Sequence, residues 1–528
     1  METAVELTTA LFCIVVLLGV VAQRVAFPFP ILLVLAGVGL GLLPVVPDIK
    51  INPDLIFVVV LPPLLYSAAI TMPWHEFRSN LGEILGLAVG LVLVTTAAVA
   101  LVAHWLVPGL PLAAAATLGA IVSPTDAISA TAIARRLRVP HRVVSILEGE
   151  SLVNDASGLV AYQLAVAATV TGLFTFRGVG SEFLLIGAGG VIIGLAMGWL
   201  IARALRFVEE SSSEITVSLV TPYIVFLSAE QLQVSGVLAV VTTGLYLRSV
   251  RTEVFSAPGR VELAAVWKFI EYLMNGVVFL LIGLQLESVV KGLPPWPVRD
   301  ISIYVLAISA VVLAVRILWV FPASRASRFI VRRLGGEPSD LPWQSQLVIG
   351  WAGMRGVISL AAALALPATI HHGQAFPDRS VIVFLTFSVI LTTLVLNGLT
   401  LPTLIRRLGA SPDEAEAESE ARARLAVLHA AIEELDRRTQ DGSLPLSSDD
   451  VMELRRELST RAQLVEARAG SDESRAEYQR LNRVYLELLE VERSELERLL
   501  RMRRISKEVA HRIEHDIDLE ETRAQPRP

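Results

Sequence analysis

The sequence predicts an all-α protein that crosses a membrane many times and ends in a charged helical tail. Of its 528 residues, 53% are hydrophobic and 18% are charged, and the mean hydropathy is +0.60, whereas soluble proteins carry about 25% charged residues. The charge is unevenly distributed, because residues 410–528 hold 28 acidic and 20 basic residues, a net charge of −8. We therefore predict a transmembrane domain at residues 1–409 and a charged helical cytoplasmic tail at residues 410–528.

Thirteen apolar runs can be placed in the transmembrane domain, each long enough for the roughly 17 to 25 residues that a membrane-spanning helix needs. Their centres lie near Val15, Leu35, Val60, Leu93, Val122, Leu159, Ile193, Leu219, Val240, Phe279, Val311, Val357 and Val389. Seventeen Lys and Arg residues follow the odd-numbered runs and five follow the even-numbered runs. Because cytoplasmic loops accumulate basic residues, we predict about thirteen spans in the cell membrane, with the N-terminus outside.

Two of the predicted spans are interrupted. Gly119 and residues 123–126 break the fifth span, and Gly350, Gly353 and residues 355–356 break the twelfth. If the spans form two groups of six around the seventh, these two occupy equivalent positions. Paired broken helices in two inverted repeats are typical of transporters whose site lies near the middle of the membrane. We therefore expect two inverted six-helix repeats with crossed broken helices.

The sixth span carries polar residues that indicate an ion site. Ser151, Asn154 and Asp155 share one helical face, at spacings of three and four residues, and offer a hydroxyl, an amide oxygen and a carboxylate to a cation. Thr125 adds a hydroxyl from the broken fifth span, where unwinding also frees backbone carbonyls. Because loss of water disfavours the charged form of a carboxylate, Asp155 can hold a proton or a cation. This predicts a site that exchanges one for the other.

Three other charged residues have less direct interpretations. Asp126 either adds a second carboxylate to the ion- and proton-binding site or, with Thr125, caps the half-helix after the break. Arg355 would be costly to bury unpaired, and its expected counterion is Glu150, with Asp126 as the alternative. Arg316 is predicted to lie near a span end and to reach toward the lipid headgroups.

Together these segments resemble the monovalent cation/proton antiporters of the sodium/proton exchanger type. The matching motifs are residues 61–66 (LPPLLY), 123–127 (SPTDA), 150–156 (ESLVNDA), 279–286 (FLLIGLQL) and 353–356 (GMRG), and the resemblance covers about residues 5–408. It implies a homodimer of thirteen-span protomers, each with a dimer-interface domain and a moving core domain. It does not extend to the tail.

The resemblance also implies roles for individual residues. Asp155 corresponds to the essential aspartate that carries the ion and the proton, and Ser151 and Thr125 join it as ligands of the monovalent cation. Glu150 and Arg355 correspond to a stabilising ion pair. Asn154, rather than a second Asp, implies electroneutral exchange of one Na⁺ for one H⁺. Archaeal relatives often have a glutamate where this chain has Ser67, so the choice among Na⁺, Li⁺ and K⁺ stays open.

The sequence therefore predicts a Na⁺/H⁺ antiporter of the cytoplasmic membrane that exports Na⁺ and regulates internal pH. It predicts neither an enzyme nor a cofactor, and the lack of a large basic face argues against a nucleic-acid partner. The alternatives are K⁺/H⁺ antiport at the same site, a sensor that does not transport, and an intramembrane aspartyl protease that uses Asp126 and Asp155. Their Thr-Asp and Asn-Asp contexts argue against the protease.

The tail has two apolar seams with helical spacing. The first is Leu425, Leu428, Ile432 and Leu435, and the second is Leu481, Val484, Leu488 and Val491. Spacings of three and four residues predict seams that pack on each other or on a second copy of the chain. The alternative is solvated amphipathic helices. No feature of the tail identifies another partner.

Overall fold

The chain divides into two compact units, Met1–Ser411 and Pro412–Pro528. The structure is a computed structural model that describes residues 2–25, 28–42, 56–171, 176–293, 295–333, 341–370, 374–409, 414–441, 443, 446–469, 472–502 and 504–524. The domain boundary predicted after Gly409 adjoins residues 410–413, which lie outside these ranges.

The regular structure of the first unit, in its described residues, is helical. The helices are α1 (Glu2–Val25), α2 (Phe29–Gly41), α3 (Leu61–Thr71), α4 (Trp74–Ser79), α5 (Leu81–Leu85), α6 (Val92–Leu106), α7 (Leu112–Val122), α8 (Ile128–Arg136), α9 (His141–Thr171), α10 (Phe176–Leu205), α11 (Ser211–Gln231), α12 (Gly236–Ser249), α13 (Arg251–Val254), α14 (Ala257–Leu284), α15 (Leu286–Lys291), α16 (Val298–Arg333), α17 (Trp343–Trp351), α18 (Val357–Leu364) and α19 (Arg379–Leu408). Two π-helical segments, Ile56–Val60 and Gly86–Leu91, lead directly into α3 and α6. The predicted all-helical fold class is confirmed.

Several of these helices have the length and composition of membrane spans. Among the described residues, six segments are long and apolar enough to cross a bilayer: Leu81–Leu106, Gly180–Leu205, Ser211–Gln231, Ala257–Lys291, Val298–Arg333 and Arg379–Leu408. Each of the thirteen predicted run centres falls within a helix. The polytopic character of the unit is thus confirmed, whereas the number of thirteen crossings stays a prediction.

Close helix packing in this unit depends on glycine. Gly37 of α2 lies against Gly283 of α14, and a Cβ atom added to Gly37 would lie 2.9 Å from the Cα atom of Gly283. At the contact between α10 and α12, the Thr243 hydroxyl donates a 2.9 Å hydrogen bond to the carbonyl of Gly194. Small residues allow such close backbone approach between membrane helices.

The fifth and twelfth predicted spans are each divided in two, and their breaks meet. Residues 123–127 separate α7 from α8, and residues 352–356 separate α17 from α18. The backbone N–H of Asp126 donates to the carbonyl oxygen of Met354 at 2.8 Å, forming an isolated antiparallel bridge. We call residues 123–127 and 352–356 the crossing. It brings four half-helix ends together inside the unit.

Two glycines expected to interrupt these spans instead lie within helices. Gly119 in α7 packs on α6, where an added Cβ atom would lie 2.9 Å from the Cα atom of Thr96. Gly350 in α17 packs on α16, where the corresponding distance to the Cα atom of Ile317 is 3.4 Å. These two glycines allow close packing, and the breaks themselves lie in the residues of the crossing.

The tail unit is helical in its described residues, as predicted, but one of its seams is not the packed face. Its helices are α20 (Glu414–Gln440), α21 (Ser448–Ala469), α22 (Asp472–Arg501) and α23 (Lys507–Ala524). Leu489 and Leu496 of α22 are buried in a small core with Ala510 and Ile517 of α23. The second predicted seam is exposed: Leu481, Val484, Leu488 and Val491 all lie on the surface of the unit.

Candidate functional site

The polar face of α9 lies against the first break of the crossing. Asn154 Nδ2 donates to the carbonyl oxygen of Thr125 at 3.1 Å and to its Oγ1 at 2.9 Å. Ser151 Oγ accepts a 3.2 Å hydrogen bond from the backbone N–H of Ala127. These bonds satisfy backbone groups that unwinding leaves without helical partners. The sequence prediction that Ser151, Asn154 and Thr125 come together matches this geometry.

Asp155 lies beside this contact, with 8% of its surface exposed. Within the described part of the chain, its carboxylate forms no hydrogen bond or ion pair, although it lies within electrostatic range of Asp126 and Glu150. The neighbouring Asn154 Oδ1 is buried and has no hydrogen-bond partner among the described residues. Buried polar groups normally find partners. The Asp155 carboxylate is therefore free to take a proton or a cation, and the Asn154 amide oxygen is free to contribute to binding the cation.

Asp126 precedes the N-cap residue Ala127 of a half-helix, and its side chain binds a backbone donor at the start of that helix, in line with one of its two predicted roles. Its Oδ1 accepts a 2.8 Å hydrogen bond from the backbone N–H of Ile128, the first residue of α8. A carboxylate at this position also interacts favourably with the positive end of the helix dipole. Thr125 does not share the task, because its hydroxyl is directed toward Glu150, to which it donates at 2.9 Å.

The buried ion pair of the site joins Glu150 to Arg316, not to Arg355. Arg316 Nη1 and Nη2 contact Glu150 Oε1 and Oε2 at 2.5 and 2.9 Å, and neither side chain is more than 1% exposed. Arg316 also donates to the carbonyl of Ile349 in α17, at 3.2 Å through Nε and 3.0 Å through Nη2. The expectation that Arg316 reaches the headgroups is therefore wrong, as is the expected partner of Glu150.

Arg355 is buried and contacts the backbone of the crossing. Its Nε donates to the carbonyl of Val122 at 3.0 Å, and its Nη1 donates to the carbonyl of Gly353 at 2.5 Å. Val122 is the last residue of α7, and Gly353 follows α17. Helix C-terminal ends carry partial negative charge, so one guanidinium stabilises both ends. This explains how Arg355 is accommodated without forming the predicted ion pair.

The comparisons with known proteins agree with this geometry. A sequence profile of the family described as "Sodium/hydrogen exchanger, transmembrane" matches residues 7–407. The chain belongs to the sodium/hydrogen exchanger family. The exchanger is 34% identical over 525 residues to a Mycobacterium tuberculosis protein described as an uncharacterized Na⁺/H⁺ exchanger, covering 97% of this chain and 94% of that one.

Two further comparisons bear on the ions and on the fold. A Bacillus pumilus sodium, potassium, lithium and rubidium/H⁺ antiporter is 34% identical to the exchanger over 387 residues, which cover 71% of this chain and 57% of that one. The solved sodium/proton antiporter of Methanocaldococcus jannaschii matches with a TM-score of 0.63 at 19% identity, covering 77% of this chain and 99% of that one. The exchanger thus has the antiporter fold, and its family is one of transporters.

Sequence reasoning missed several residues that hold the exchanger's crossing together. Arg316 is the most important, and its presence in an apolar span was itself a signal, since a charge at that depth needs a partner. Thr393 and Asn397 of α19 contribute hydrogen bonds: Thr393 Oγ1 accepts from the N–H of Arg355 at 3.2 Å, and Asn397 Nδ2 donates to Gly353 at 3.2 Å. Their spacing of four residues places both on one face of α19.

Arg379 holds the far end of the second half-helix. Its Nε donates to the carbonyl of Leu366 and its Nη2 to the carbonyl of Leu364, both at 2.9 Å. Leu364 is the last residue of α18. A basic side chain at a helix C-terminus satisfies carbonyls that have no helical partner. In the sequence, this arginine is only one of the five basic residues that follow the even-numbered runs, because its capping role depends on the fold.

Proposed function

We propose that this exchanger moves Na⁺ out of the cell in return for H⁺, with Asp155 holding either the proton or the cation. The observation that carries the proposal is the buried Asp155 carboxylate, which has no partner in the described structure and lies next to the unpartnered Oδ1 of Asn154. A cation stripped of water needs several oxygen ligands. Ser151 Oγ and the carbonyl of Thr125, which contact the break and Asn154 respectively, are the additional oxygens that we propose as ligands.

Exchange follows from the cost of leaving this carboxylate bare. An ionised side chain in the membrane interior is unfavourable without a counterion, whereas the protonated form and the cation-bound form are both neutral. The site should therefore change easily from facing one side of the membrane to facing the other only when Asp155 is protonated or has bound a cation. Each translocation of a cation is then matched by the return of a proton.

The Glu150–Arg316 pair supports this assignment because it keeps Glu150 out of the ion site. Both Glu150 oxygens are bound by the guanidinium, and Oε1 also accepts from Thr125. A carboxylate so engaged is a poor cation ligand. We propose that its role is structural, and that the Thr125 hydroxyl, which is held by the same pair, contributes less to the cation than its carbonyl does.

K⁺/H⁺ exchange at the same residues is the second candidate. The observation that favours it is the name of the Bacillus pumilus relative, which includes potassium, lithium and rubidium. Ser67 of this chain is fully buried, and its hydroxyl lies next to the Glu271 carboxylate. A neutral side chain there leaves Asp155 as the proposed charged ligand, and one carboxylate alone discriminates weakly among monovalent cations.

The experiment is cation-induced dequenching of a pH dye in proteoliposomes that contain the purified full-length protein. We expect Na⁺ to drive proton movement, and we expect Asp155→Asn to abolish it while the protein still folds. Undiminished exchange by that variant would refute the proposal. A series of Na⁺, Li⁺ and K⁺ in the same assay separates the two candidates, and insensitivity to an imposed membrane potential supports the one-for-one stoichiometry.

The proposal also covers the orientation of the protein in the membrane, its oligomeric state and its role in the cell. The distribution of Lys and Arg in the loops supports an outside N-terminus and a cytoplasmic tail in the cytoplasmic membrane. We further propose a homodimer and a role in regulating internal pH. Cysteine labelling of each loop from outside the cell tests the orientation, and cross-linking in the membrane tests the dimer.

A further inference from the structure

Three arginines gather at one end of the helical bundle, away from the ion site. Arg248 lies in the last turn of α12, Arg251 begins α13 and Arg260 lies in the first turn of α14. All three side chains are half-buried. The short α13 turns the chain back between two long helices, and this turn brings the three guanidinium groups together.

Each guanidinium of this arginine cluster is fixed by a backbone carbonyl. Arg251 Nη2 donates to the carbonyl of Arg260 at 2.6 Å, Arg260 Nη1 donates to that of Phe255 at 2.6 Å, and Arg248 Nε donates to that of Met72 at 3.2 Å. A guanidinium has five N–H donors, so each retains donors for another ligand. Arg251 Nε is buried and has no partner in the described structure.

The carboxylates near the cluster are engaged elsewhere. Glu253 pairs with Arg206 at 3.2 Å, and Glu214 accepts from the N–H and the hydroxyl of Ser256 at 3.0 and 3.2 Å. Within the described ranges, none of the three arginines forms an ion pair with a carboxylate. Burial, together with the charges of Arg248 and Arg260, lowers the pKa of Arg251. Three positive charges within electrostatic range of one another favour the binding of an anion.

We propose that Arg248, Arg251 and Arg260 form a binding site for a phosphate group at the membrane surface. Arginine forks match phosphate oxygens in geometry and bind them in pairs of hydrogen bonds. The cluster lies where α12 ends and α14 begins, and the ends of membrane helices are where the headgroups of anionic phospholipids are met. A headgroup phosphate and free inorganic phosphate share this chemistry.

The site would join parts of the fold that are distant in sequence. Met72 follows α3, and its carbonyl is held by Arg248, while Phe255 and Arg260 belong to the turn into α14. An anion that bridges the three guanidinium groups therefore links α3, α12 and α14. Binding to the folded state alone stabilises it in proportion to ligand concentration, so thermal unfolding reports occupancy.

The test uses purified full-length protein in a neutral detergent and measures its unfolding midpoint. The probes are phosphatidylglycerol, zwitterionic phosphatidylcholine, inorganic phosphate, and chloride at matched ionic strength. The triple variant Arg248→Gln, Arg251→Gln, Arg260→Gln removes the cluster. The control replaces the exposed Arg78, Arg203 and Arg332 with Gln, which makes the same change in net charge.

We expect phosphatidylglycerol to raise the midpoint of the parent saturably and more than phosphatidylcholine does. Each basic side chain near an anionic headgroup contributes about a fivefold change in binding, so the cluster variant, which lacks three, should lose roughly a hundredfold in apparent affinity. The control triple should retain the parent's affinity. If inorganic phosphate stabilises the parent as much as phosphatidylglycerol does, the ligand is the free ion. If phosphatidylglycerol stabilises the parent and inorganic phosphate does not, the ligand is the lipid.

Equal affinity in the parent and the cluster variant overturns the proposal, and so does an equal loss in both triple variants. It is also overturned if neither phosphatidylglycerol nor phosphate stabilises the parent beyond phosphatidylcholine or chloride. If the cluster variant does not fold, the single change Arg248→Gln replaces it, because among the described residues that side chain binds only the Met72 carbonyl. A loss of about fivefold is then expected, and an unchanged affinity contradicts the site.

Discussion

Arg316 and Glu150 form a bidentate ion pair that joins α16 to α9 directly beside the crossing. The two residues are 166 positions apart in the sequence, and both are removed from solvent. An ion pair of this kind contributes little net stability against an apolar substitute, but the loss of one partner leaves a buried charge. The pair is therefore best tested by removing its members singly and together.

We predict that Arg316→Gln lowers the free energy of unfolding by about 3 to 5 kcal/mol, the usual cost of leaving a buried charge unpaired. Glu150→Gln should cost a similar amount, and the double variant should cost much less than the sum of the two. Thermal unfolding of the detergent-solubilised protein measures all three. A parallel cycle of Glu150→Gln with Arg355→Gln serves as the control, and a larger coupling energy in that cycle would contradict the pairing.

The second prediction separates capping from ion binding at Asp126. Asn caps helices about as well as Asp does, so Asp126→Asn should keep both the fold and the Na⁺ concentration for half-maximal exchange close to the parent values. Asp126→Ala removes the acceptor for the Ile128 N–H and should cost about 1 kcal/mol of stability. Loss of exchange in a stably folded Asp126→Asn would instead make the carboxylate a cation ligand.

The third prediction concerns the closeness of the two breaks. A Cβ atom at Gly356 would lie 2.6 Å from Cβ and 2.8 Å from Cγ of Asp126, so Gly356→Ala should force the breaks apart. Overpacking of this kind costs about 1 to 3 kcal/mol, and exchange should fall with it. Gly39→Ala is the matched control, since no atom of the described residues beyond its own helix turn lies within 4 Å of its added Cβ. Equal stability of the two variants would show that the crossing tolerates the extra atom.

The fourth prediction uses two adjacent leucines of the tail. Leu489 is 3% exposed and packs toward α23, whereas Leu488 is 55% exposed. Leu489→Glu buries an unpaired charge and should open the α22–α23 pair, which limited proteolysis of the full-length protein detects. Leu488→Glu makes the same chemical change on the exposed seam and should leave the cleavage pattern intact. If Leu488→Glu increases cleavage and Leu489→Glu does not, the packed face of α22 is the predicted seam instead.

Local patterns in the sequence were enough to predict the helical membrane fold and much of the site. Ser151, Asn154 and Asp155 could be grouped because spacing along one helix fixes which side chains share a face. The segment from Ser123 to Asp126 could be identified as a break because its residue types disfavour a continuous helix. Both inferences depend on neighbours in the chain and need no knowledge of which helices touch.

The partner of Glu150 could not be derived in this way. Arg355 and Arg316 are both single arginines in apolar surroundings, and the choice between them depends on which helix packs beside α9. Arg355 donates through Nε and Nη1 to two helix-end carbonyls that meet only once α7 and α17 cross, and its Nη2 is buried without a partner among the described residues. The tail seams are a similar case, since α22 offers two apolar faces and periodicity alone does not say which one is covered.

The bond from the Asp126 N–H to the Met354 carbonyl has an evolutionary consequence. Because both atoms belong to the peptide backbone, replacing the side chain of Met354 leaves the acceptor in place, and at position 126 only proline would abolish the donor. The alignment of the two breaks can therefore persist when the side chain at position 354 changes, whereas the side chain at position 126 is constrained further by its hydrogen bond with the Ile128 N–H.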